Sequence, residues 1–210
     1  MHDLIIQKPA PTDASAGQIF LLFHGVGASA ASLQGLGQSL ASHHPQAWVV
    51  SVQAPHASDI SQGWQWFSVL GVTPENRAAR VAAAMPEFHA AIRKWQDESG
   101  LSAAQTTLVG FSQGAIMALE STQELTPPAG RVIALSGRLA SPARRAPAAL
   151  QIHLLHGQLD GVVPTQCSID AHAELQALGA NASLDLIPGL GHGVDAQMVE
   201  RLYARLDSKA

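Results

Sequence analysis

Short apolar runs recur along the chain, with longer stretches of helical pattern between them. The clearest are Ile19–Phe23, Trp48–Val52, Thr106–Val109, Arg131–Leu135, Ile152–Leu155 and Leu184–Ile187. Each is almost continuously apolar, as expected of a strand covered on both faces. Leu4–Gln7 adds a candidate edge strand. Thr73-Pro74-Glu75 is a helix start: a capping hydroxyl, then proline and an acid in the first turn. The stretch behind it sets Val81, Met85, Phe88, Ile92 and Trp95 on one face. Pro86 within it predicts a kink or a break, and Gly100 marks the stop. Further helices are read over Gln113–Glu120, Pro164–Leu178 and Asp195–Leu206.

This alternation predicts an α/β fold, a mostly parallel sheet with helices on both faces. Ser141–Ala149, rich in Pro and Ala, reads as a loop, and no insertion is long enough for a separate lid domain. Residues 1–210 are read as one domain.

Composition narrows the function classes. The chain is 47% hydrophobic, enough for one sizeable core, and only 13% charged. A formal net charge of −4, with no Lys or Arg between Lys8 and Arg77, speaks against nucleic acid as a partner. A single cysteine, Cys167, permits no intrachain disulfide. There is no basic leader with an apolar core, and no run approaches the roughly 18 apolar residues of a membrane span. The expectation is a cytoplasmic protein without stable membrane insertion.

Gly110-Phe111-Ser112-Gln113-Gly114 fits G-x-S-x-G, between a strand and a helix. That context is what a nucleophile elbow requires, because the sharp turn lifts the serine hydroxyl above the sheet edge. Three further features agree. His24-Gly25-Val26-Gly27 follows the strand Ile19–Phe23, where a backbone N–H can face a tetrahedral oxyanion; Val26 and Gln113 are the expected donors. His24 itself is read as shaping that loop. Asp160 lies just beyond the strand Ile152–Leu155, at the edge where open parallel sheets build their sites. His192 sits between Gly191 and Gly193 after the last strand, able to reach Ser112 as a general base with Asp160 fixing its tautomer. The chain order Ser, Asp, His completes the constellation.

Leu22–Gly27, Gly110–Gly114, Leu155–Pro164 and Gly191–Gly193, taken in order, resemble the phospholipase/carboxylesterase family of the α/β-hydrolase fold, which includes acyl-protein thioesterases and small carboxylesterases. The resemblance implies Ser112, Asp160 and His192 as a catalytic triad, Val26 and Gln113 as the oxyanion hole, and no cofactor or metal. It implies a serine carboxylesterase acting on a small-molecule ester, with hydrolysis of an acyl thioester or a lysophospholipid on the same triad as alternatives; with no recognisable lid, short to medium acyl chains are expected. Gln65-Trp66-Phe67 looks like a family element beside the acyl pocket, which makes Trp66 and Phe67 the candidate substrate contacts; read from the residues alone, Trp64, Trp66 and Phe67 either line an acyl site or fill the core. Where the family often carries Asp after the glycine of its early loop, this chain has Ala28 and Ser29.

Other readings are weaker. Gly25-Val26-Gly27-Ala28-Ser29-Ala30 also fits a dinucleotide fingerprint, but no acid follows the next strand, Trp48–Val52, to bind a ribose. Ten histidines invite a metal, yet His153 and His156 should point to opposite faces of one strand, and the adjacent His43 and His44 are not expected to converge. A non-catalytic binding module on the same fold remains an alternative.

Overall fold

A computed structural model describes residues 2–9 and 17–208. Seven strands form one sheet in the order β1-β3-β2-β6-β7-β8-β9. They are β1 (Leu4–Gln7), β2 (Ile19–Phe23), β3 (Trp48–Val52), β6 (Thr106–Phe111), β7 (Arg131–Leu135), β8 (Gln151–Gly157) and β9 (Asn181–Ile187). Within this sheet, among the described residues, only β1 runs antiparallel to its neighbour. Two-residue strands β4 (His56–Ala57) and β5 (Trp64–Gln65) pair separately. Among the described residues, no helix is long and apolar enough to cross a membrane.

Strand residues divide by parity between two cores. Ile19, Leu21 and Phe23 face one side with α2 (Pro74–Ser99), α3 (Gln113–Ser121) and α4 (Gln166–Ala177). Phe20 and Leu22 face the other with α1 (Gln34–His43) and α5 (Ala196–Asp207). All five residues of β2 and of β3 are buried, which accounts for their unbroken apolar character. Edge strand β9 begins earlier than its apolar run, because Asn181–Ser183 pair with Gln151–His153 in register while staying partly exposed.

Helix α2 opens as read from sequence, with Pro74 in its first turn and Thr73 capped reciprocally by Asn76, and closes at Gly100 in a left-handed conformation. It is not broken at Pro86. Pro86 and Ala82, whose carbonyl loses its partner, are both exposed, so water can serve that group. Val81, Ala84 and Met85 before the proline, and Phe88, Ile92 and Trp95 after it, anchor both halves to one core.

His153 and His156 do point to opposite faces of β8. His153 bonds Ser183 across the sheet, and His156 reaches Ser168 in α4. His43 and His44 converge after all, with Asp207 nearby and one ligating atom of each within 4.8 Å of the others. The reason is that His44 leaves the helix as its C-cap (φ −124°, ψ 73°), which swings its ring back beside His43.

Burial holds the pKa of His153 down at about 4, and the charges of Arg131 and Arg205 act in the same direction. Below about pH 6.5 the unfolded chain takes up a proton that the folded chain refuses, so stability falls as pH drops from there towards 4. Between pH 7 and pH 5 this group should cost about 2 kcal/mol. Urea melts at the two pH values should show that loss in the wild type and a correspondingly smaller one in His153→Leu. An equal loss in both would assign the acid sensitivity elsewhere.

Candidate active site

The carboxyl ends of β2, β6, β8 and β9 converge on one edge of the sheet. Ser112 links β6 to α3 with φ 52° and ψ −114°, a conformation that non-glycine residues rarely adopt. Its N–H donates to the Leu135 carbonyl of the neighbouring strand (2.9 Å). Gly114 permits the tight turn: a Cβ there would lie 2.1 Å from the Phe23 carbonyl oxygen. The helix can therefore start directly against β2.

His192 arrives on the loop after β9. That loop crosses the end of β8 so closely that a Cβ on Gly157 would lie 2.4 Å from the carbonyl oxygens of Leu190 and Gly191. His192 Nε2 is 3.0 Å from Ser112 Oγ, and its Nδ1 is 2.7 Å from Asp160 Oδ2. A carboxylate only accepts, so Nδ1 carries the proton and Nε2 is left to accept from the serine hydroxyl. The Phe111 ring packs beside the imidazole at 5.0 Å between centroids.

Asp160 has a fully buried side chain. Burial alone would raise its pKa, but the bonds from His192 and from the Val162 and Val163 amides outweigh it and hold the carboxyl below its ordinary value. Both amides donate to Oδ1 at 2.9 Å, which leaves Oδ2 for His192. Buried His156 adds a contact that sequence reading missed. Its Nε2 lies 2.8 Å from the Val163 carbonyl oxygen and 3.2 Å from Asp160 Oδ2, so it carries the proton and donates towards both. Its Nδ1 accepts from the Ser168 hydroxyl (2.6 Å). The signal was present in the sequence, since His156 stands four residues before Asp160 at the end of an apolar strand. Asp185, the other acid near these strand ends, forms a two-bond ion pair with Arg205 (2.6 and 3.0 Å).

The loop after β2 is fastened from both sides. His24 Nδ1–H donates to the Gly25 carbonyl (2.8 Å), while Nε2 accepts from the Ala54 N–H (3.1 Å). Burial keeps this imidazole neutral by lowering its pKa. Gly27 N–H donates to Trp64, and Trp64 N–H donates back to Ala28. Among the described residues the Val26 N–H has no partner, and Gln113, as the first residue of α3, has no carbonyl one turn back. The Gln113 side chain is clamped, its Oε1 accepting from the Trp66 N–H (2.8 Å) and its Nε2 donating to the Phe67 carbonyl (2.8 Å). Trp66 and Phe67 are themselves buried, with Trp66 packed on Phe23 and Phe88. The structure brings Ser112, His192 and Asp160 together, with Val26 and Gln113 near them. It places Trp66 and Phe67 in the core behind Gln113.

In the comparison to known proteins, a model of the phospholipase/carboxylesterase family matches residues 5–209. The chain belongs to the phospholipase/carboxylesterase family. Over 95% of its length it is 43% identical to Esterase YpfH of Escherichia coli (strain K12), covering 85% of that protein. The crystal structure of esterase PE8, 32% identical, superposes with a TM-score of 0.85 over 98% of this chain and 96% of that one. A carboxylesterase of Bacillus cereus shares the fold, with a TM-score of 0.82 at 18% identity over 98% and 92% of the two chains. As a family member the chain has the α/β-hydrolase fold, and the described residues include no separate lid.

The elbow's close fit makes a stability prediction. Gly114→Ala should lower stability by about 3 kcal/mol, since the new Cβ meets backbone that cannot move aside. Gly193→Ala, where a Cβ meets nothing within 4 Å, should cost less than about 1 kcal/mol. Equal urea midpoints for the two variants would contradict the packing account.

Proposed function

We propose that the protein is a serine carboxylesterase that hydrolyses carboxylic esters through an acyl-enzyme on Ser112. The observation that carries this reading is the unbroken line from Ser112 Oγ through His192 to Asp160, at 3.0 and 2.7 Å. Membership of a family whose relatives include a 43% identical esterase supports the reaction class.

In the proposed reaction the Ser112 oxygen attacks the ester carbonyl while its proton passes to His192 Nε2. The carbonyl oxygen becomes an oxyanion facing the Val26 and Gln113 N–H groups. The bond to the alkoxy oxygen then breaks, and that oxygen takes the proton from His192. Water follows the same path: its oxygen bonds the acyl carbon and its proton goes to His192. The Ser112–acyl bond breaks, and Ser112 recovers the proton as the carboxylic acid leaves. Asp160 keeps the imidazole in the required tautomer and stabilises the imidazolium. A thioester could be cleaved by the same steps, with sulfur as the leaving atom. A purely binding role leaves the aligned relay without a purpose.

Ser112→Ala should lower kcat for p-nitrophenyl acetate on the order of 10⁶-fold, as in other serine hydrolases that lose the nucleophile. Asp160→Asn should cost about 10⁴-fold through the wrong tautomer. Asp185→Asn, which disturbs only the Arg205 pair, should stay within about threefold. Retained turnover in Ser112→Ala would move the nucleophile elsewhere, and a large loss in Asp185→Asn would overturn the role given to Asp160.

A further inference from the structure

A groove of about 840 Å³ opens beside His192 on the α1/α5 side of the sheet. That is a volume typical of small-molecule sites. Leu33 and Leu36 form one wall, Val194, Val199 and Tyr203 the other, and Phe111 lies at its head next to His192. Gly25 and Ala28 of the loop carrying Val26 also border it. From Asp195 to Tyr203 the groove follows α5 for about 12 Å, room for an alkyl chain of roughly eight carbons. At its far end the Tyr203 and Ser39 hydroxyls are hydrogen-bonded to each other, tying α5 to α1.

We propose that this groove receives the alkoxy part of the ester, and that the favoured leaving group is a neutral, apolar alcohol. The inference rests on the roles given above to Ser112, His192, Val26 and Gln113. Once the carbonyl oxygen is turned towards Val26 and Gln113, the leaving oxygen must come within hydrogen-bond reach of His192 Nε2 to take its proton. The alkoxy chain therefore departs on the His192 side, where the groove begins. On the opposite face of the sheet Trp66, Phe67, Phe23 and Phe88 pack in the core, and among the described residues the cavity of about 360 Å³ that Trp66 and Phe67 border is lined by neither Ser112 nor His192.

Charge restricts the alcohol further. Among the described residues no Lys or Arg lines the groove, whereas Asp195 and Glu200 do. The Asp195 carboxylate also caps α5 by accepting from the Met198 N–H (2.9 Å), so it is fixed in place. A leaving group that carries phosphate, whether a phosphorylated thiol or a glycerophosphate headgroup, would meet the carboxylates of Asp195 and Glu200 along the α5 wall. The groove suits a simple alkyl alcohol.

Octyl acetate and methyl nonanoate are isomers that place the same hydrocarbon on opposite sides of the ester, so they read the groove directly. The wild type should favour octyl acetate in kcat/KM by at least about tenfold, since burying even two methylenes is enough for that. Val199→Trp fills the groove and should lower the ratio of octyl to ethyl acetate turnover by at least about tenfold. Gly35→Phe provides a second obstruction from α1, at a position where a Cβ meets nothing within 4 Å. An octyl acetate carrying a terminal phosphate should be at least about tenfold poorer than octyl acetate, with Glu200→Lys narrowing the gap. Preference for methyl nonanoate, or variants that slow it instead of octyl acetate, would make this an acyl groove and overturn the proposal. Equal turnover of the phosphorylated and plain esters would overturn its charge selectivity. If Ser112→Ala hydrolysed ethyl acetate at the wild-type rate, the underlying catalytic reading would fail, independently of either result.

Discussion

A serine at φ 52° and ψ −114° costs on the order of 1–3 kcal/mol of backbone strain, and much of the site exists to hold it there. The Ser112 N–H is tied to Leu135, Gly114 lies against Phe23, and the Gln113 side chain is clamped between Trp66 and Phe67. These contacts come from three separate stretches of chain, so the turn cannot relax without disturbing β2, β7 and the segment before α2. The same clamp fixes the direction of the first amide of α3, one of the two donors proposed for the oxyanion. A rigid sheet edge thus converts folding energy into the placement of a hydroxyl and an N–H.

The second constraint is a buried negative charge. Asp160 has no exposed side-chain surface, and an unpaired carboxylate there would be costly. Two amides from its own loop and two imidazoles, His156 and His192, share the charge. His156 is in turn held by Val163 and Ser168, which couples the acid to α4. The imidazole that faces Ser112 is therefore the partly exposed end of a network otherwise locked by backbone and buried side chains. That arrangement suits the proton-transfer role proposed for His192.

Much of this was legible in the sequence, and for physical reasons. Parallel strands covered on both faces leave unbroken apolar runs, so six of the seven sheet strands could be read from them and the seventh as an edge. Ser112, Asp160 and His192 were legible because each stands just past a strand end, two of them among glycines. What escaped notice lacks such a signal. Helix α1 carries Gly35 and Gly37 and buries only Leu36, Gly37 and Leu40, too sparse a stripe to stand out. Strands β4 and β5 are two residues each and exist by pairing with each other. The Gln113 clamp depends on two backbone groups more than 40 residues away. For Trp66 and Phe67 the sequence left an acyl site and the core both open; their side chains pack in the core while their backbone serves Gln113. Pro86 looked like a helix breaker because local sequence does not reveal that its side of α2 faces water.

The central claim is that the fold activates one particular hydroxyl. Labelling the folded protein with a fluorophosphonate probe and mapping the modified peptide tests it most directly. The account predicts one label per chain, on Ser112, and its loss in His192→Ala. A folded protein that takes no label, or takes it at another residue, would contradict it.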